Sequence, residues 1–449
     1  MAGVSRGLAW DARTPLSYPG WRAVLASFLV LFFAFGAPTA TMPLVYGEVM
    51  REFGWTRTEA TLVYTYKDIT SAIMALLFVG PALARFGLKR VMVASLIATG
   101  AGMAVFFLID SLWLYYLSGF IKGLGQTTVL ICAKIMVARW FMRNVGLAVG
   151  VAVIGTSVGG VVFPVLCAWM IEEWGWRIAF GTLSLGVFVV AIPAFLLLAN
   201  DNPSNEDILP ELSMDKARPA NTAQLEGAHT TDDFAGILRT PMFWCITIGI
   251  VLIAGVDQGL YQHTMLYLTE HAGLTTRVAA AALSVTFALS IISKFIAGRF
   301  FDRFSIKGIA LWYVLVALVV LLAFPVQGLV TAVVFTCARG IAHGGLISES
   351  PVIAKHCYGP RFMDKVMPIL SGCWTIGSAV GPVGLALLYD NTGGYVWGFV
   401  LFVAIALTAA ATLALFVRPL YRDRLRMLQA MPDTAHARAD VEGLKGERA

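Results

Sequence analysis

The sequence predicts an all-α integral membrane protein with twelve transmembrane helices in two pseudo-symmetric six-helix bundles. Composition is the first reason. Of 449 residues, 58% are apolar and only 13% charged, whereas soluble domains place about a quarter of their residues in Asp, Glu, Lys and Arg. The roughly 260 apolar residues suffice for about twelve crossings of about 20 residues each. The second reason is spacing, because the apolar runs fall six and six around one long polar gap. The third is that the two groups share local sequence. A water-soluble enzyme, a nucleic-acid binder and a disordered scaffold are excluded on composition, and the net charge of +6 reads as the Lys/Arg surplus of cytoplasmic loops rather than a nucleic-acid surface.

In chain order, a polar tail (1–20) precedes span 1 (21–47), which is too long for the apolar core of a signal peptide and is expected to be retained. Spans 2 to 6 follow near 59–82, 91–109, 113–137, 145–171 and 177–199, so that 21–199 forms the N-terminal bundle. Residues 200–240 carry Asn, Pro, Ser, Asp and Glu with few apolar residues, the composition of a solvated linker. Its last stretch, DDFAGILRTPMFW, is predicted to form a short amphipathic helix leading into span 7. Spans 7 to 12 lie near 241–268, 277–299, 308–327, 329–354, 366–388 and 394–417, giving a C-terminal bundle (241–417) and a tail (418–449).

Loop charges set the expected orientation. With a cytoplasmic N-terminus, the inner loops hold Arg85, Lys89, Arg90, Arg139, Arg143, Arg299, Arg303, Lys307, Lys355, Arg361 and Lys365, against Arg51, Arg57, Arg177 and Arg277 outside. This asymmetry puts both termini in the cytoplasm. Arg418, Arg422, Arg424 and Arg426 follow the last span and suit anionic headgroups.

The repeat is visible in two places. The loop after span 2 reads GPALARFGLKR and that after span 8 reads GRFFDRFSIKG, while span 5 contains GTSVG and span 11 GSAVG. A duplicated six-helix unit is the build of a secondary transporter, whose substrate site lies near the midplane between the halves.

These loops resemble the major facilitator superfamily. Its loop pattern GxxxDRxGxRR is matched by Gly80, Arg85, Gly87, Lys89 and Arg90, with Ala84 in place of the aspartate; the second copy keeps Asp302 and Arg303 but has Ser305 for the glycine. The resemblance implies a cytoplasmic gate latched by charge pairing, assigned here to Asp302 rather than to the first copy. At the entry to span 5, Phe141, Arg143, Leu147, Ala148, Gly150, Ala152 and Gly155 fall in register with the YFxKRRxLAxGxAxxG of monocarboxylate porters. Small residues at this spacing allow close helix packing in lipid. The similarity extends to the oxalate–formate exchanger branch.

Charged residues inside the spans are costly, at least about 2.5 kcal/mol each at the bilayer centre, and so mark function or pairing. They are Lys67 and Asp68 in span 2, Lys122 in span 4, Asp257 in span 7, Lys294 in span 8, and Arg339, His343 and Glu349 in span 10. The cations outnumber the acids, which suits an anionic substrate. Lys67 and Asp68 are adjacent and read equally as a local pair. The resemblance implies a functional role for Lys122, and places Lys294 where related anion porters hold their substrate with an arginine. Arg339 is expected to be a second carboxylate contact, with His343 one turn on and on the same face. His343 reads first as a hydrogen-bonded interior histidine, and as a proton carrier second. Asp257, unless it pairs with a cation, must take up a proton. Tyr261 and other span aromatics are candidates to line the cavity, although such residues are common in membrane cores.

Two parts of the proton relay of animal monocarboxylate transporters are missing: GAP is followed by Thr39 rather than lysine, and Ser290 stands where an aspartate is expected. The span 11 lysine of oxalate exchangers is absent too. Proton coupling would then fall to Asp257, Glu349 or Asp68.

The six cysteines form no metal-ligand spacing, neither HExxH nor GxxxxGK[ST] occurs, and the two GxSxG matches, GVSRG (3–7) and GTSVG (155–159), fall in the polar tail and inside an apolar span rather than on a strand-to-helix turn. The expectation is therefore a non-enzymatic secondary transporter, without metal or cofactor, that moves a small mono- or dicarboxylate across the cell (inner) membrane as a monomer. Its partners are the organic anion and membrane lipid, with no nucleic acid. The alternative is a proton-coupled exporter of cationic or hydrophobic compounds working through the intramembrane carboxylates.

Overall fold

The computed structural model describes residues 18–141, 145–200 and 234–420. Arg143, most of the linker with the start of the expected amphipathic helix, and the C-terminal arginines beyond Arg418 lie outside the described residues. Among those described, the chain is helical throughout and contains no strand.

The first bundle comprises α1 (Gly20–Phe53), α2 (Arg57–Phe86), α3 (Leu88–Leu108), α4 (Leu112–Trp140), α5 (Leu147–Trp174) and α6 (Trp176–Leu198). A short helix, Phe234–Leu238, leads into the second bundle. That bundle begins with α7 (Pro241–His271) and ends with α10 (Leu329–Tyr358), α11 (Pro360–Thr392) and α12 (Val396–Phe416). Between them runs one helical stretch, Thr276–Leu321, of 46 residues. A straight helix of that length would measure about 69 Å, more than twice the hydrocarbon core of about 30 Å. It is broken at Ser305, whose φ of 56° and ψ of −138° are non-helical. The break yields α8 (276–304) and α9 (306–321), which completes the twelve crossings the composition implies.

Why the chain turns there follows from the repeat. Gly87, at the matching position between α2 and α3, has φ 77° and ψ 163°, a region that suits glycine because it has no Cβ. Ser305 must enter comparable territory with a side chain, which costs of order 1–3 kcal/mol. Its hydroxyl lies 3.0 Å from His356 Nδ1, a contact worth about 1 kcal/mol. Ser305→Gly is therefore expected to stabilise the protein by about 1 kcal/mol despite losing that contact, and Gly87→Ala to destabilise it. Thermal unfolding in detergent checks both, and a lower melting temperature for Ser305→Gly would contradict the assignment of strain.

The repeat also reappears as packing. Gly155 and Gly159 of α5 lie against the backbone of α1, where an added Cβ would sit 2.4 Å from the Phe28 carbonyl oxygen and 2.9 Å from that of Phe32. Gly377 and Gly381 of α11 do the same against α7, meeting the carbonyls of Val251 and Gly255 at 2.2 and 2.0 Å. Small residues let these backbones touch where lipid gives no hydrophobic drive for association. Across the halves, α1 meets α7, α2 meets α11 and α5 meets α8. These seams enclose the molecular centre. One end of the bundle carries the first and last described residues, Tyr18 and Leu420, and is called here the terminal end; the other is the far end.

Candidate functional site

Helix α7 is apolar up to mid-depth and then presents Asp257, Gln258, Tyr261, Gln262 and His263, all buried. A stripe of this kind cannot face lipid, because each polar group would forfeit its hydrogen bonds. It faces the other helices, and α10 answers it. The Asp257 carboxylate lies 2.8 Å from His343 Nδ1 and accepts from Gln258 Nε2 at 3.0 Å. Arg339, one turn before His343, donates to the Asp257 backbone carbonyl at 3.1 Å and reaches Oδ1 only at 3.5 Å. The arginine is 2% exposed, and its Nε has no hydrogen-bond partner among the described residues. Its guanidinium carbon stands 5.0 Å from the centre of the Tyr261 ring, within reach of a cation–π contact. The Tyr261 hydroxyl bonds across to the Thr39 carbonyl of α1 at 3.1 Å. Asp257, Tyr261, Arg339 and His343 thus form one cluster, with a guanidinium donor still unassigned.

A polar chain links this cluster to the other bundle. Gln258 Oε1 accepts from the Tyr64 hydroxyl at 3.1 Å; Ser378 of α11 donates to Asp68 at 2.5 Å with its oxygen 3.4 Å from the Tyr64 hydroxyl, and Asp68 is paired with Lys67. A second bridge runs from Tyr46 to Gln262 at 2.7 Å. Asp68 therefore sits on the seam between the halves, in contact with both.

The other expected cations stand apart. Lys294 bonds to Ser157 Oγ of α5 at 2.6 Å, on the α5–α8 seam. Lys122, 4% exposed, touches Met42 Sδ at 3.5 Å and lies 5.8 Å from the Phe106 ring centre. Neither forms an ion pair among the described residues. Lys122 and His343 occupy matching places in the repeat, each directly before a glycine that packs on a neighbouring backbone: Gly123 on Lys67 of α2 and Gly344 on Ser290 of α8. Glu349 is fully buried, and its carboxylate faces the Tyr313 hydroxyl without a well-formed hydrogen bond among the described residues. It lies ten residues beyond Arg339, about 15 Å closer to the terminal end. Gly80, Arg85, Gly87, Asp302 and Arg303 are all at that terminal end, with Arg85, Asp302 and Arg303 exposed.

A clamp at the far end was not foreseen from the sequence. Arg57 opens α2 and is 5% exposed. It pairs with Glu270 of α7, donates to the Tyr395 hydroxyl at 3.1 Å, and packs over the Tyr389 ring at 3.7 Å. Beside it, the Thr58 hydroxyl donates to Asp390 at 2.6 Å. Arg277 of α8 pairs with Glu172 and Glu173 of α5. All these contacts join the first bundle to the second. In the sequence Arg57 reads only as a loop charge, because its aromatic partners are more than 300 residues away in the chain.

Comparison with known proteins decides the family. The family model described as Major Facilitator Superfamily matches residues 24–338 and again 291–438. The chain belongs to the major facilitator superfamily. Among similar proteins of this superfamily, Monocarboxylate transporter 13 of Bos taurus is 24% identical over 431 residues, covering 90% of this chain and 91% of its own. Monocarboxylate transporter 12 of Homo sapiens is 24% identical over 337 residues, 70% of this chain, and the match spans only 64% of the human protein's length. In fold, the superfamily member resembles the crystal structure of a bacterial homologue of the human lysosomal transporter Spinster, with a TM-score of 0.67 at 16% identity, covering 91% of this chain and 95% of that one. The expected fold class is thereby borne out, and this major facilitator protein is a multi-pass integral membrane transporter.

Proposed function

We propose that this transporter moves a small organic anion, a mono- or dicarboxylate, by alternating access between its two bundles. One observation carries the reading: the buried Arg339, whose guanidinium cannot give up its proton, keeps an unpartnered Nε and only a long contact to its acid. A carboxylate completes such a site with charge-assisted hydrogen bonds. The surrounding charge favours the same class of ligand, since among the described residues Lys294 and Lys122 have only neutral hydrogen-bond partners. The similarity to monocarboxylate transporters supports it. The Lys/Arg excess at the terminal end supports cytoplasmic termini in the cell membrane, so that the Arg57 clamp closes the extracellular side. In this reading, substrate entering from the cytoplasm meets Lys294 on the α5–α8 seam and then Arg339 at mid-depth. Rocking the bundles breaks the clamp and opens the site outwards.

Uptake of labelled lactate, pyruvate and oxalate into proteoliposomes tests this. At least one acid is expected to be transported saturably. Lys294→Ala is expected to reduce uptake at least tenfold, the order of one lost charge-assisted hydrogen bond of about 1.5–3 kcal/mol, and Lys294→Arg to retain most of it. No uptake of any acid sinks the anion reading. Saturable transport of an organic cation that depends on Asp257 would replace it with an exporter.

A further inference from the structure

Between α2 and α3, the first bundle leaves a groove that the second bundle fills with its own side chains. The groove encloses about 500 Å³ over a floor made by α4; Met74, Phe78, Ala82, Ala94 and Ala98 line it, with Arg90 at the terminal end. The register that matches Gly87 with Ser305 pairs Ala82 with Phe300, Ala94 with Trp312 and Ala98 with Val316. In the second bundle the Trp312 indole packs on Phe300 and Phe301, with ring centres 5.9 and 5.4 Å apart, donates to the Ala342 carbonyl at 2.9 Å and lies against Gly345. The first groove is also widened by a turn of π-helix, Met74–Phe78, that begins and ends on residues lining it. Such turns are frequent at functional sites, and α8 has none.

Charge differs between the halves in the same sense. Ala84 stands where the second half has Asp302, and Arg90 where it has Gly308. The mouth of the first groove therefore carries Arg90 and also Arg85, whose guanidinium carbon is 5.4 Å from the centre of the lining Phe86 ring. Neither arginine forms an ion pair among the described residues.

We propose that this groove holds one acyl chain of an anionic phospholipid from the leaflet at the terminal end, with the headgroup phosphate on Arg90 and Arg85. The groove opens to the bilayer and away from the seam between the bundles: α3 packs on α4 and α6 of its own bundle, and Leu77, Phe78, Phe86 and Ile97 around the opening are exposed. Its depth suits a chain, because Arg90 and Ala98 are eight residues apart on α3, about 12 Å. Hydrophobicity cannot make the choice, since lipid tails are as apolar as the groove wall. A chain of fitting shape gains the dispersion contacts that an unfilled groove forfeits. The arginines then select the headgroup, each basic residue near an anionic surface being worth about fivefold in affinity. A chain seated there splints α2 against α3 beside the loop that joins them.

Native mass spectrometry of the full-length protein, purified in detergent and titrated with palmitoyl-oleoyl phosphatidylglycerol or phosphatidylcholine, tests this. The wild type is expected to bind its first phosphatidylglycerol at least about fivefold more tightly than phosphatidylcholine. Arg90→Gln is expected to bind both lipids and to lose most of that preference, whereas Arg299→Gln, a like charge at the same end of α8, is expected to keep it. Ala94→Trp installs the second half's own plug at an exposed position and is expected to lose the tightly bound lipid; Ala98→Phe serves if that variant does not fold. Equal affinity of the wild type for the two lipids overturns the inference, as does tight phosphatidylglycerol binding retained in the plug variants. A preference retained in Arg90→Gln, or lost equally in Arg299→Gln, overturns it too. Dimers in place of a lipid adduct, dissociated by Ala94→Trp, would give the groove to a second copy of the chain and overturn the lipid assignment.

Discussion

Replacing Arg339 by glutamine is expected to abolish measurable anion uptake and to lower stability by about 3 kcal/mol. The stability loss arises because Asp257 stays buried at 5% exposure while its arginine partner is removed, and breaking a buried pair from one side typically costs 3–5 kcal/mol. His343 remains as a partner, which places the expectation at the lower end. The uptake loss has a different origin, the missing guanidinium donors for the substrate carboxylate. The double variant Arg339→Gln with Asp257→Asn separates the two effects. It removes both charges together and is expected to recover most of the thermal stability without recovering uptake. Recovery of uptake in the double variant would mean that Arg339 serves only to neutralise Asp257.

The second large effect is expected at the far end. Arg57→Ala removes an ion pair to the exposed Glu270, a hydrogen bond to Tyr395 and a cation–π contact with Tyr389 in a single substitution. The solvent-screened ion pair, the hydrogen bond from a charged donor and the cation–π contact together are worth about 2–4 kcal/mol to the state in which the bundles are joined at that end. Losing them shifts the balance between closed and open forms by roughly 30- to 1000-fold. Distances between spin labels at the far ends of α2 and α7 are expected to lengthen, and a single cysteine introduced at Tyr64 is expected to become reactive to a hydrophilic thiol reagent added from that end. Thr58→Ala, which loses only the hydroxyl bond to Asp390, is expected to do much less. Equal effects of the two variants would show that Arg57 is not the principal clamp.

The legibility of this protein differed from feature to feature. The spans were readable because lipid imposes length and apolarity on every crossing, so twelve crossings followed from local composition. The break at Ser305 was readable because GRFFDRFSIKG repeats GPALARFGLKR, and Gly87 shows the turn that this pattern encodes. The buried charges were readable as exceptions, since a charge in an apolar run needs a reason wherever it occurs. Their grouping was not. Asp257 is expected from the sequence either to pair or to titrate, and the structure gives it an arginine, a histidine and an amide as partners. Lys294 and Arg339 were expected to share one site, and the structure sets the first on the α5–α8 seam, bonded to Ser157, and the second against α7. Gln258, Tyr64 and Ser378 went unassigned as a bridge because each is unremarkable in its own helix. The one available signal was the expense of burying an amide in lipid, which Gln126, Gln258 and Gln262 all incur.

The sequence by itself determined the solvent, the number of crossings, the duplication and the set of residues too polar to lie in lipid, because these depend on interactions of each segment with its surroundings and with its own backbone. Tertiary structure alone decided which of those residues meet. Asp257 and His343 are 86 positions apart, and Arg57 and Tyr395 are 338. Such pairings depend on the rotation of each helix about its axis and on which glycines allow two backbones to touch, and no local periodicity encodes either.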